Sequence, residues 1–94
     1  MYMHELQTRL NQLKQQIPQV KNRQARRELT MMLQSATAAI TKADQESVEC
    51  RRLQKQTIKY QELISEADQV LKFVEQHLVF AVLLNGWPKK IPML

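Results

Sequence analysis

Glycine occurs once in this chain of 94 residues, at Gly86, and proline three times, at Pro18, Pro88 and Pro92. Sheets need turns, and turns draw on Gly, Pro and Asn. Between Gln19 and Leu84 there is neither a glycine nor a proline, so long helices are expected. The single cysteine, Cys50, excludes an internal disulfide and fits a reducing compartment. The opening stretch, MYMHELQTRL, lacks a basic start followed by an apolar core, so no cleavable signal peptide is expected. Only one long apolar run exists, Leu78 to Leu84. Its seven residues fall far short of the ~20 needed to span a bilayer. Extending it backward meets His77, Glu75 and Lys72. A protein of the cytoplasm without a membrane span is expected.

The signatures of catalysis are missing as well. His4 and His77 lie near opposite ends of the chain, and one cysteine makes no metal cluster. There is no Gly-rich phosphate loop and no G-x-S-x-G. Glu62, Glu66 and Asp68 fall within two turns of one helix. Paired carboxylates can do acid–base work, but a solvated helix face explains these three more simply. No enzyme activity, cofactor or metal is expected.

Charge is present but unevenly spread. Residues 1–27 carry Arg9, Lys14, Lys21, Arg23, Arg26 and Arg27 against Glu5 alone. Residues 28–94 hold eight bases and eight acids, so the net charge of +5 is entirely N-terminal. Such an end attracts nucleic acid, anionic lipid or an acidic protein, and Lys21, Arg23, Arg26 and Arg27 are the candidate contacts. The stretch KNRQARREL, residues 21–29, superficially resembles a basic-zipper region. Leu29 is followed by Ala36 and Ala43 at the heptad positions where a zipper needs leucine, so that likeness fails. Arg51, Arg52, Lys55 and Lys59 form a second cationic group, and a basic helical hairpin dimer gripping structured RNA or DNA stays as an alternative. Neither cluster holds aromatic residues for base stacking.

Three segments repeat their apolar residues at helical spacing. Met3, Leu6, Leu10, Leu13, Ile17 and Val20 form the first, interrupted by Pro18. Ala25, Leu29, Met32, Ala36, Ala39 and Ala43 form the second. The third runs from Cys50 through Leu53, Thr57, Tyr60, Ile64, Ala67, Leu71, Val74 and Leu78 to Ala81. The last two share one heptad phase, so either a turn separates them or one helix runs unbroken from about 19 to 84 as a coiled-coil oligomer. A turn at residues 42–47, KADQES, is favoured. An unbroken seam puts Glu46 in the core, and Asp44 and Ser47 suit a helix N-cap. The expected fold is therefore all-α. It is a single domain, an antiparallel helical hairpin with a short kinked or separate N-terminal helix. Its helices lie at about 3–17, 19–43 and 47–84, with an irregular tail at 85–94. Asn85-Gly86 and Pro88 are expected to end the last helix.

The end of the third segment is apolar on two faces. Leu78 and Ala81 continue the seam, while Val79, Phe80 and Leu83 point largely the other way and Phe73 lies two turns before Phe80. One neighbouring arm cannot cover both faces. Either the first helix folds over the second face or another protein does, the partner being a helical chaperone-type protein or a second copy. Phe73, Val79, Phe80, Leu83 and Trp87 are the candidate partner surface.

The order of elements resembles the small helical co-chaperones of type III secretion needle subunits. HELQTRLNQL (4–13), RRELTMMLQSATAAITKAD (26–44) and YQELISEADQVLKFVEQHL (60–78) carry the resemblance. It consists of a short Leu-repeat start, an amphipathic arm, a polar turn, and an arm growing more apolar toward its end. The resemblance implies a helical hairpin that pairs with a larger helical-repeat chaperone, the two holding the needle subunit unpolymerised in the bacterial cytoplasm. It implies no catalytic residues.

Overall fold

The computed structural model describes residues 3–84. They form helix α1 (Met3–Gln16), a single 3-10 turn (Ile17–Gln19), helix α2 (Arg23–Leu53) and helix α3 (Ile58–Leu84), with no strand among the described residues. The all-α hairpin with a separate N-terminal helix is the observed architecture. The proline acts as its chemistry dictates. It sits inside the 3-10 turn, α1 stops at Gln16, and Val20 is extended. Asn22 then caps α2, its Oδ1 accepting the Ala25 N–H at 2.9 Å. Arg26 closes the corner by donating from Nη1 to the Val20 carbonyl at 2.8 Å. The second helix thus begins at Arg23 and not at 19.

The hairpin turn is not at 42–47. Helix α2 runs through that stretch to Leu53, and α3 starts at Ile58 and not at 47. Two side chains explain the difference. Glu46 is not an uncompensated charge in the seam: it accepts a hydrogen bond from the Thr57 hydroxyl at 3.2 Å and lies 3.6 Å from Lys59 Nζ. Ser47 spends its hydroxyl on the Asp44 carbonyl within the helix, a local bond that a continuing helix tolerates. Cys50, expected on the third segment, is buried on α2.

The turn is built without glycine. Gln54 adopts a left-handed conformation at φ 58° and ψ 36°. The Gln54 N–H bonds the Arg51 carbonyl at 3.2 Å, and the Lys55 N–H bonds the Cys50 carbonyl at 3.1 Å. This is the Schellman arrangement that usually recruits glycine. Replacing Gln54 with Gly should therefore stabilise the fold by about 0.5–1 kcal/mol, because the left-handed conformation costs a residue with a Cβ more than this and glycine adds unfolded-state entropy. Urea denaturation of Gln54→Gly is the measurement, and a midpoint unchanged or lowered would sink the argument. On the far side of the turn Thr57 caps α3, its Oγ1 accepting the Tyr60 N–H at 3.0 Å. Thr57 thus caps α3 and also ties the two arms together, its hydroxyl donating to Glu46 and lying 3.7 Å from the Cys50 sulfur on α2. Thr57→Ala should cost about 1–2 kcal/mol, while Thr57→Ser, which keeps the hydroxyl, should stay near the parent in the same experiment.

At 1.5 Å per residue α2 and α3 are about 46 and 40 Å long and α1 about 21 Å, against a longest molecular dimension of 52 Å. α1 therefore reaches along only part of the hairpin. It starts from the corner at Val20 and lays Leu6, Leu10 and Leu13 into one core with Leu29, Ala36, Ala39, Ile40 and Ala43 of α2 and Ile64, Ala67, Leu71, Val74 and Leu78 of α3. The alanines let α2 approach its neighbours closely.

Candidate partner-binding face

The decisive local fact is which side of α3 receives α1. The answer comes from Arg9. Its Nε and Nη2 donate to the two oxygens of Glu75 at 3.0 and 2.9 Å, and its Nη1 donates to Asp68 at 2.6 Å. Asp68 and Glu75 are seven residues apart, so they line one side of α3. Asp68 is also 3.3 Å from Lys72. The guanidinium hydrogen bond from Arg9 holds the Asp68 carboxyl below the usual carboxylate range, against the opposing effect of burial, with Lys72 adding to it. The carboxylates hold the Arg9 guanidinium still more firmly protonated, Glu75 foremost. Of the three acids weighed for catalysis, Asp68 is thus committed to holding helices together.

With α1 fixed there, the face of α3 turned away from the buried seam stays open. Phe73 is 55% exposed, Val79 57%, Phe80 64% and Leu83 45%. The first helix does not cover these four expected partner residues. Phe73 and Phe80 lie seven residues, or about 10 Å, apart on one side of the helix. Leu83 follows three residues after Phe80 and Val79 flanks it. The Phe73 ring packs at a tilt on His77, centroids 4.5 Å apart, and His77 Nδ1 lies 3.2 Å from the Phe73 carbonyl. At about 150–200 Å² per side chain, these exposures leave roughly 400 Å² of apolar surface open. Trp87, expected to join this surface, lies outside the described residues, as do Asn85-Gly86 and Pro88, the expected end of the last helix.

The basic candidates are divided by the structure. Arg26 is half-buried and bound to the Val20 carbonyl, so its role is in the corner. Lys21, Arg23 and Arg27 are exposed and form no ion pair among the described residues. The first turn of α2 holds no acid to meet its dipole. At the hairpin tip the picture is the reverse. Arg52 pairs with Glu49 and Lys59 with Glu46, and Glu46, Glu49 and Lys59 border an open groove of about 610 Å³ that Lys42, Gln45 and Leu63 complete. No buried polar side-chain atom among the described residues lacks a hydrogen-bond partner. Sequence reasoning missed Leu53 and Ile58, which flank the turn at 41% and 76% exposure. A turn at 42–47 puts Leu53 in a seam, whereas the turn at 54–57 places it at the exposed end of α2.

Among the described residues no group of three His, Cys, Asp or Glu is placed to hold a metal ion, and no helix is long and apolar enough to cross a membrane. Comparison with protein-family models, with curated proteins and with solved structures gives no match.

Proposed function

We propose that this chain is a small helical protein-binding module, a co-chaperone or adaptor that pairs with a helical partner through the outer face of α3. The observation that carries this reading is the exposure of Phe73, Val79, Phe80 and Leu83 together on the last three turns of one helix while the seam side of the same turns is buried. Burying each of these side chains is worth roughly 1.5–3 kcal/mol, which a groove on a partner supplies. The resemblance to needle-subunit co-chaperones supports a specific form of this role, in which the partner is a helical-repeat chaperone and the cargo a type III secretion needle subunit.

The test is Phe80→Asp combined with Leu83→Asp. The double variant should keep the parent's far-UV circular dichroism and melt within a few degrees of it, since exposed sites change stability by about 0.5 kcal/mol or less each. In affinity capture from the native host it should lose the partner that the parent retains. An unfolded double variant would place both residues in the core and remove the basis of the proposal.

A further inference from the structure

The open apolar face and the unpaired cations belong to the same end of the molecule. Because α2 and α3 are antiparallel arms joined at residues 54–57, the start of α2 and the finish of α3 lie together, and α1 arrives there too. From Lys14 to Glu28 the chain carries Lys14, Lys21, Arg23, Arg26 and Arg27 against Glu28 alone. From Lys72 to Leu84 the one acid is Glu75, and Arg9 occupies it. The tip differs: residues 44–62 balance Asp44, Glu46, Glu49 and Glu62 against Arg51, Arg52, Lys55 and Lys59.

We infer that the α3 face takes an acidic amphipathic helix, which sets large apolar side chains against Phe73, Phe80 and Leu83 and carboxylates toward Lys21, Arg23 and Arg27. This rests on the protein-binding reading and adds the chemistry of the partner. Two arguments carry it. The first is area. A standard interface takes about 800 Å² from each side, and the apolar face supplies roughly half. The rest must come from its surroundings, and at this end they are cationic. The second is charge. A second copy seated on the face brings two cationic ends together, which opposes pairing. An acidic partner neutralises Lys21, Arg23 and Arg27, which form no ion pair among the described residues. A lipid surface fits less well. Helices that lie in membrane interfaces carry apolar and basic faces on one helix. Here the last three turns of α3 offer only Lys72, already held by Asp68, and the other cations stand on a different element. A nucleic acid leaves the phenylalanines uncovered.

The experiment titrates the full chain into two fluorescent helical peptides that share one Leu and Phe stripe, one flanked by Glu and the other by Lys, and reads anisotropy. The Glu peptide should bind about tenfold more tightly, as two or three partly exposed ion pairs warrant. High salt should close the gap. Arg23→Glu with Arg27→Glu should invert the ranking. Phe80→Asp with Leu83→Asp should abolish binding of both peptides. Equal affinities, both lost in the Asp variant, would overturn the acidic partner and leave the protein-binding reading standing. Binding indifferent to the Asp variant would overturn both, as would no binding of either peptide. Tighter binding to phosphatidylglycerol vesicles or to a short RNA duplex than to the Glu peptide overturns the inference in favour of that ligand. So does a dimer seen in sedimentation that the Asp variant abolishes. A red shift of Trp87 emission in the Asp variant, with no peptide present, would assign the face to residues 85–94 of the chain itself and overturn it likewise.

Discussion

Leu71→Ala should cost about 3–4 kcal/mol of folding stability, and Phe80→Ala about 0.5 kcal/mol or less. Both are large apolar residues on α3, nine positions apart, and hydropathy alone ranks the phenylalanine as the greater loss. Burial reverses the order. Leu71 is fully buried among the leucines of α1 and the alanines of α2. Removing its side chain forfeits the transfer energy and leaves a cavity that three packed helices cannot fully close. Phe80 is 64% exposed, and truncating it takes away little that folding had buried. In a chain of this size the larger loss approaches the whole stability, so Leu71→Ala should be largely unfolded at modest urea. Urea titration followed by circular dichroism decides the matter. Similar losses for the two variants would mean that the α3 face is covered in the free protein, which would undermine the proposed function.

Arg9→Ala should cost about 1–3 kcal/mol, a range that reflects two charge-assisted contacts at partly exposed positions. The variant leaves Glu75 without its guanidinium partner and Asp68 with Lys72 alone. Its pH dependence is the sharper test. Asp68 titrates below its ordinary range in the folded chain. Its contribution is therefore fully present above the unfolded carboxylate pKa of about 3.9 and is lost as pH falls through the lower, folded value. The parent should lose stability steeply on acidification in that window, and Arg9→Ala should show a shallower acid limb. Parallel acid limbs would show that Arg9 does not perturb Asp68. Arg9 also bears on specificity. The stripe Leu6, Leu10, Leu13 fits a continuous heptad seam at more than one level, and a guanidinium bridging Asp68 and Glu75 selects one of them.

The helical character was legible because it rests on local chemistry. No glycine or proline lies between Gln19 and Leu84, and Pro18 interrupts the first helix where a proline must. The hairpin was legible too, but its turn was not. The heptad phase runs without a slip from Ala43 through Glu46, Cys50, Leu53 and Thr57 to Tyr60, so periodicity carries no mark of the break. The marks that do exist are a glutamine in a left-handed conformation and a threonine cap, and both residue types are ordinary in helices and strands. The acidic Glu46 argued for a break where none occurs. Its compensation by Thr57 and Lys59 depends on residues eleven and thirteen positions away, which meet it only after the chain has turned.

The partner face divides in the same way. The sequence by itself determined that the end of α3 is apolar on two sides, since a helix turns 100° per residue whatever surrounds it. It determined equally that the excess positive charge is N-terminal. Which apolar side stays open was decided only by the tertiary structure. The stripe of α1 fits either side of α3 as far as hydrophobicity goes, because burial has no direction. A directional contact breaks that tie. Asp68 and Glu75 stand on one side only, and Arg9 draws α1 to it. Phe73, Phe80 and Leu83 are left turned away from the seam, with Val79, four residues after Glu75, beside that contact but 57% exposed, at the end of the hairpin where the cations gather.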